Sequence, residues 1–262
     1  MALGQRPLPW EREWAALQRR EERLLRKRRQ ETPSKLGARL EDKVPARLQD
    51  TLRAAFRKAF SMVLDKGDPL VEKTVSRQKR ETDYQVNLYA AGVRRDKASL
   101  RAFSRQAGRS SRRNLALSGV EGVGLGLLGI GIPDIPLFTG VLLKSLYEIA
   151  LSYGFAYDTP SEQRFLLKTL AVSLLRGEDF EEGNAEVNRW VYGEIPPQPT
   201  LQQLSDQAGE ALAGELLYLK LLQGIPIVGV AGGLADSVCL KRVTYYAKLK
   251  YHRRFLRQFG KL

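Results

Sequence analysis

The sequence predicts an all-α protein, and three observations carry that prediction. Apolar residues recur at helical spacings along most of the 262 residues, no segment shows the strict alternation of a half-buried strand, and glycine and proline gather at a few points that divide the helical stretches. With 43% hydrophobic residues the chain can bury a sizeable core. The expected architecture is a multi-helix bundle built around two glycine-rich apolar helical hairpins.

Residues 9–30 begin it as a charged helix. Trp10, Trp14, Leu17 and Leu24 fall near one stripe, and Glu22 and Arg26 form an i,i+4 pair on the outside. Thr32-Pro33-Ser34 interrupts this helix. Leu36, Leu40, Val44, Leu48, Leu52, Phe56, Phe60 and Leu64 then repeat every fourth residue, with Pro45 placed to start or kink the second part. After the turn Gly67-Asp68-Pro69, residues 70–113 read as two helices broken near Gly92. Their stripes are narrow (Leu70, Val71, Val75, then Leu100, Phe103, Ala107), and Arg105, Arg109, Arg112 and Arg113 crowd the end.

The most apolar stretch follows, residues 122–143, whose sole charge is Asp134. Gly122, Gly126 and Gly129 belong to a glycine-dense first arm; Ile132-Pro133-Asp134-Ile135-Pro136 makes the bend. Glycine disfavours helix by about 1 kcal/mol against alanine, so a helix that keeps several is expected to bring another backbone close. Spanning a membrane takes about 20 residues in one helix, and each arm has roughly 12 to 14. That length fits a hairpin buried in the core; a membrane-inserted hairpin, and then two true spans, are the alternatives.

Thr159-Pro160-Ser161-Glu162 is a capping box that launches a helix through Phe165, Leu166, Leu170, Val172 and Leu175, expected to end at Gly177. An acidic helix from Phe180 to Tyr192 leads to the extended connector Ile195-Pro196-Pro197-Gln198-Pro199. A second glycine hairpin runs from Leu216 through Gly224-Ile225-Pro226-Ile227-Val228-Gly229 to Gly232, Gly233 and Leu234. Its Gly-Ile-Pro echoes Gly131-Ile132-Pro133, as in a weak internal duplication. Pro133, Pro136, Pro226, Gly229 and Gly233 are therefore read, with the first-arm glycines, as hairpin-packing residues. The last helix, about 234–259, carries the stripe Val243, Ala247, Tyr251 and Phe255.

Charge is unevenly placed along the chain. Residues 1–113 carry 29 Lys/Arg against 14 Asp/Glu, net +15; residues 114–240 carry 6 against 15, net −9; residues 241–262 carry 8 against none, net +8. Two basic ends around an acidic middle suit an anionic partner, either lipid headgroups or nucleic acid. The last helix concentrates Lys241, Arg242, Lys248, Lys250, Arg253, Arg254 and Arg257 around aromatic anchors, a pattern that suits a membrane surface as well as a core helix with a basic outer face. Sequence-specific nucleic-acid binding is not expected, because the arginine-rich helices before residue 114 interleave few aromatics. The N-terminus lacks a signal-peptide core, so the expected location is cytoplasmic, peripheral to the inner face of the cell membrane.

One cysteine and one histidine leave no His/Cys zinc site and no intramolecular disulfide. Cys239 reads as a small core residue and His252 as an exposed or headgroup-facing imidazole. No phosphate loop, nucleophile elbow or kinase set is present. The remaining candidates are carboxylates in or beside apolar segments, Glu121, Asp134, Glu148 and Asp236. Asp134 suits a helix cap and Glu148 a pair with Lys144; convergence of several in one pocket would instead suit cation binding or acid–base work. No cofactor or metal is expected.

Val120-Glu121-Gly122 opening a glycine-rich run, Ile132-Pro133-Asp134-Ile135-Pro136, Tyr153-Gly154-Phe155, Ile225-Pro226-Ile227-Val228-Gly229 and a basic C-terminal helix together resemble the EcsC family of bacterial proteins. The resemblance covers roughly residues 40–256, which divides the chain into a charged N-terminal helical extension (1–39) and an EcsC-like helical domain (40–262). It implies a membrane-associated accessory protein linked to an ABC transporter or secretion process, with no defined catalysis. A hydrolase or cation-binding enzyme using the buried carboxylates is the alternative.

Overall fold

Every regular element among the described residues is a helix. The computed structural model describes residues 7–31, 46–66, 75–126, 134–193, 199–222 and 232–260, with side chains placed except at 65–66, 113, 115–126, 134, 220–222 and 232–236. The helices are α1 (Pro9–Gln30), α2 (Ala46–Lys66), α3 (Arg77–Arg94), α4 (Lys97–Gly126), α5 (Asp134–Ser152), α6 (Pro160–Leu174), α7 (Gly177–Tyr192), α8 (Leu201–Leu222) and α9 (Gly232–Phe259). The fold is all-α, as the periodicity predicts. Both glycine bends (127–133 and 223–231) lie outside the described residues, and with them Gly129, Pro133, Pro226 and Gly229.

Local chemistry explains most boundaries. Pro9 occupies the first turn of α1, and the Leu8 backbone N–H donates to Glu11 at 2.7 Å. The break expected near Gly92 falls later: α3 ends at Arg95 in the left-handed region (φ 47°), and Asp96 accepts from the Ser99 N–H at 2.7 Å to start α4. A cap therefore sets this boundary, and Gly92 continues the helix. Thr159 caps α6 by accepting from the Glu162 N–H at 3.2 Å. The other half of the expected capping box does not form, because the Glu162 side chain turns inward. Gly177 (φ 56°) opens α7 and does not close α6, and Glu178 and Asp179 complement the helix dipole in the first turn.

Helix α9 is the centre of the protein. It packs most extensively on α4, then on α6 and α5, and also touches α1, α7 and α8. Its predicted stripe is fully packed, with Val243, Ala247 and Tyr251 at 0% exposure and Phe255 at 2%. Helix α8 lies against α6 and α2, α5 against α2, α3 and α4, and α1 along α7. Phe56 and Phe60 of α2, and Leu100, Phe103 and Ala107 of α4, are likewise core residues, as is Cys239. The stretch Ile135–Ser152 is long and apolar enough to cross a membrane, yet 72% of it is buried within the protein. Packing on four neighbouring helices accounts for its apolar character.

The Tyr153-Gly154-Phe155 motif is a tight corner after α5. Gly154 has φ +82°, and a Cβ there would stand 2.2 Å from the Tyr84 ring of α3. Both the backbone conformation and the close approach require glycine.

Candidate anion-binding site

The cations of α9 divide into two sets. Lys250 is fully buried and Arg253 nearly so; Arg254, Arg242 and Arg257 are partly covered. The sequence reading placed all of them on an outward basic face. Because α9 is surrounded by other helices, most of them turn inward and meet carboxylates from elsewhere in the chain.

Glu21 of α1 is the first such carboxylate. Its Oε1 accepts from Lys250 Nζ at 2.7 Å, Asn188 Nδ2 at 2.8 Å and Asn184 Nδ2 at 3.0 Å, while Oε2 accepts from Arg253. Tyr246 donates to Asn184 Oδ1 at 3.1 Å, and Arg253 donates to the Tyr192 hydroxyl at 2.9 Å. Burial alone raises the Glu21 pKa, but Lys250, Arg253 and these hydrogen bonds overcome it and hold the carboxyl at about 2. Burial lowers Lys250 to about 8, against the pull of Glu21. The clasp joins α1, α7 and α9, so the N-terminal helix belongs to the same packed body.

Glu162 takes a bidentate pair from Arg254 at 2.7 and 2.9 Å and a hydrogen bond from Tyr251. The Arg254 guanidinium lies 3.9 Å over the Phe155 ring and 4.2 Å over Phe165. Glu215 pairs with Arg176, and Arg242 stands 3.2 Å from it, within ion-pair range but out of line for a hydrogen bond. Arg257 donates to the Val191 carbonyl. Glu148 pairs with Arg80 at 3.3 Å and accepts from Asn114 at 2.7 Å, in place of the expected Lys144 partner. Thirty-four residues separate Asn114 and Glu148 in sequence, and α4–α5 packing closes that gap. Gly122 and Gly126 lie in α4, Gly233 in α9, and Pro136 is exposed in the first turn of α5. The side chains of Glu121, Asp134 and Asp236 lie outside those described. Among the described residues no three His, Cys, Asp or Glu side chains form a metal-binding group.

The second set of cations lines a cleft of about 900 Å³ where α1 runs beside α9. Arg20, Arg23 and Lys27 come from α1, Lys241 and Lys248 from α9. None of the five pairs with a carboxylate among the described residues. At one end Arg28 and Arg242 share Glu31, at 3.0 and 3.4 Å, and Arg242 also stands 3.2 Å from Glu215. Burial, then the Arg242 charge, lowers the Arg28 pKa; burial and Arg112 lower that of Lys248.

Ser104, Tyr153 and His252 also line the cleft. Ser104 Oγ stands 3.0 Å from the Tyr153 hydroxyl and 3.3 Å from His252 Nδ1, and the Tyr153 and His252 rings stack at 5.7 Å. His252 is 2% exposed, which corrects the expectation of an exposed imidazole. The α9 position is polar in sequence but lies against α4 and the α5 corner. Burial, with the Arg20 and Arg101 charges, lowers its pKa to about 3. The ring is neutral at pH 7 and far too weak a base to activate Ser104. Its Nε2 is buried without a hydrogen-bond partner among the described residues. Sequence reasoning missed Arg20, Arg23 and Lys27 as site residues; their i, i+3, i+7 spacing on one face of α1 is the signal that points to them.

These observations define a class: an all-α protein clasped by buried ion pairs, with a cationic, donor-rich cleft. The profile of the EcsC protein family matches residues 11–256, and the chain belongs to that family. The match begins within α1. The curated Protein EcsC of Bacillus subtilis (strain 168) is 26% identical over 147 residues, 54% of this chain and 59% of that protein. The aligned region thus spans a little over half of each. No solved structure matches the chain.

Proposed function

We propose that this protein is a non-enzymatic accessory protein held at the inner face of the cell membrane through its α1/α9 cationic cleft, serving an ABC transporter or another envelope process. The transporter part rests on family membership. The membrane part is carried by one observation: Arg20, Arg23, Lys27, Lys241 and Lys248 gather at one cleft without carboxylate partners among the described residues. Each Lys or Arg close to an anionic bilayer contributes about 1 kcal/mol, so five suffice for salt-sensitive peripheral binding.

Flotation with phosphatidylglycerol and phosphatidylcholine vesicles, each at low and high salt, tests the proposal. Binding to the anionic vesicles alone, released by salt, is the expected result. Charge reversal at the exposed Arg23, Lys27 and Lys241 abolishes it, whereas Lys250, Arg253 and Arg254 are unsuitable targets because their loss breaks the interior. Unchanged partition of the triple variant, or equal binding to neutral vesicles, overturns the proposal.

A further inference from the structure

We propose that the outward face of α3 is a self-association surface, on which a second copy of this chain docks antiparallel through Val86, Tyr89 and Val93. The inference goes beyond the membrane reading and stands independently of it.

Helix α3 lies at the edge of the bundle, with α5 and α4 as its main neighbours. Towards them it turns Tyr84, Leu88 and Ala91, which belong to the core or pack against it. On the opposite side stand Tyr89, Val93 and Val86, exposed by 77, 66 and 62%, the three most exposed large apolar side chains among the described residues. Single apolar residues scattered over a surface need no explanation, but these three share one helix. Their spacing of three and four, with Thr82 four residues before Val86, sets them in one stripe of the kind that helices use to pack on each other. Gly92 is exposed beside them, and a Cβ there would meet nothing within 4 Å, which leaves room for another side chain next to Tyr89.

Charge around the stripe selects the occupant. Glu81 flanks it on one side and Asp83 on the other, and both would be repelled by an anionic bilayer. A second copy answers the pattern. Asp83 and Arg94 fall on the same flank of α3, six residues before Tyr89 and five after it. A two-fold axis beside Tyr89 brings like flanks of antiparallel helices together. Val86 then meets Val93 of the partner subunit, Tyr89 meets its own counterpart beside Gly92, and Asp83 meets the partner's Arg94, each contact being made twice. Asp83 accepts from Gln106 Nε2 at 3.2 Å, and neither it nor Arg94 forms an ion pair among the described residues, whereas Glu81 is held by Arg77 at 2.8 Å. A parallel pair would set Asp83 against the partner's Glu81, like against like. The stripe is smaller than the ~800 Å² per partner of a standard interface, so the dimer is a weak one, with a Kd of about 10–100 μM.

Sedimentation velocity of the full chain, from about 1 to 300 μM in salt that screens its net charge of +14, tests the proposal. A reversible shift from monomer to dimer over that range is the expected result. Tyr89→Glu weakens the dimer tenfold or more, and because the side chain is 77% exposed the fold survives the change, as a thermal melt verifies. Asp83→Arg weakens it about threefold to tenfold, and Asp83→Arg/Arg94→Asp restores it, since the two positions are too far apart on one helix to pair within a chain. Exposed Lys58→Met on α2 leaves it unchanged. A chain that stays monomeric throughout, or a dimer indifferent to Tyr89→Glu, overturns the proposal. A dimer sensitive to Tyr89→Glu that the charge exchange does not restore overturns the antiparallel pairing. A monomeric chain whose flotation with phosphatidylglycerol vesicles falls on Tyr89→Glu also overturns it, and assigns the stripe to the bilayer.

Discussion

Replacing Glu21 by glutamine removes the negative centre of the α1–α7–α9 clasp while keeping its shape. Its magnitude follows from the titration of the native carboxyl. Holding Glu21 at about 2, against 4.5 when unperturbed, corresponds to about 3 kcal/mol favouring the ionised folded state. Glutamine mimics the protonated acid, so at pH 7 the variant loses about that much, close to the 3–5 kcal/mol typical of breaking one side of a buried pair. The sign is set by the depressed pKa: the stabilisation is complete above pH 4.5 and is lost as pH falls toward 2. Lys250 runs the other way. Its depression to about 8 costs stability at pH 7 and is relieved as pH rises from 8 to 10.5. The two shifts oppose each other, so the harm comes chiefly from one-sided removal. Urea unfolding at pH 7 is the assay, with Glu21→Gln/Lys250→Met as the companion variant that recovers much of the loss. A Glu21→Gln protein within about 1 kcal/mol of the parent would refute the reasoning, because the buried cations would then have no need of that carboxylate.

Gly154→Ala is expected to destabilise by about 2 kcal/mol or more, from the left-handed backbone and the clash with Tyr84; adding Tyr84→Ala relieves the clash but not the φ penalty, and thermal melts of the parent, both single variants and the double variant separate the two. His252 stays neutral from pH 8 to pH 5 in the ligand-free protein, visible as an unchanging imidazole signal. Stability falls as pH drops from about 6.5 toward 3, because the unfolded chain takes up a proton that the folded one refuses; His252→Gln flattens that part of the acid unfolding curve. Glu162→Gln unpairs Arg254 and weakens the α6–α9 contact by about 3 kcal/mol, read as a lower urea midpoint with an unchanged slope.

The helices were legible because apolar periodicity is a local property. The stripe of Val243, Ala247, Tyr251 and Phe255 identifies the inner face of α9 whatever its neighbours are, and Pro9, Asp96 and Thr159 mark helix starts through chemistry within one turn. Where local signals competed, they misplaced a boundary by a few residues, as at Gly92 and Gly177. The candidate site was much less legible. Lys241 and Lys248 were read as anion-binding and do line the cleft, but the same reading applied to Lys250, Arg253 and Arg254, which point inward. His252 was misread for the same reason, since a basic neighbourhood in sequence suggests solvent.

Sequence alone determined that this chain is helical, basic at both ends and a member of its family, since each is written in spacing, composition or motif. Tertiary structure alone decided which cations are partnered. Glu21 lies 229 residues from Lys250, and Glu162 lies 92 from Arg254. Coulomb energy depends on distance in space and on burial, and neither is encoded along the chain. The same packing that pairs one group of α9 cations brings Arg20, Arg23 and Lys27 beside the other, at a cleft where these cations have no carboxylate partner among the described residues.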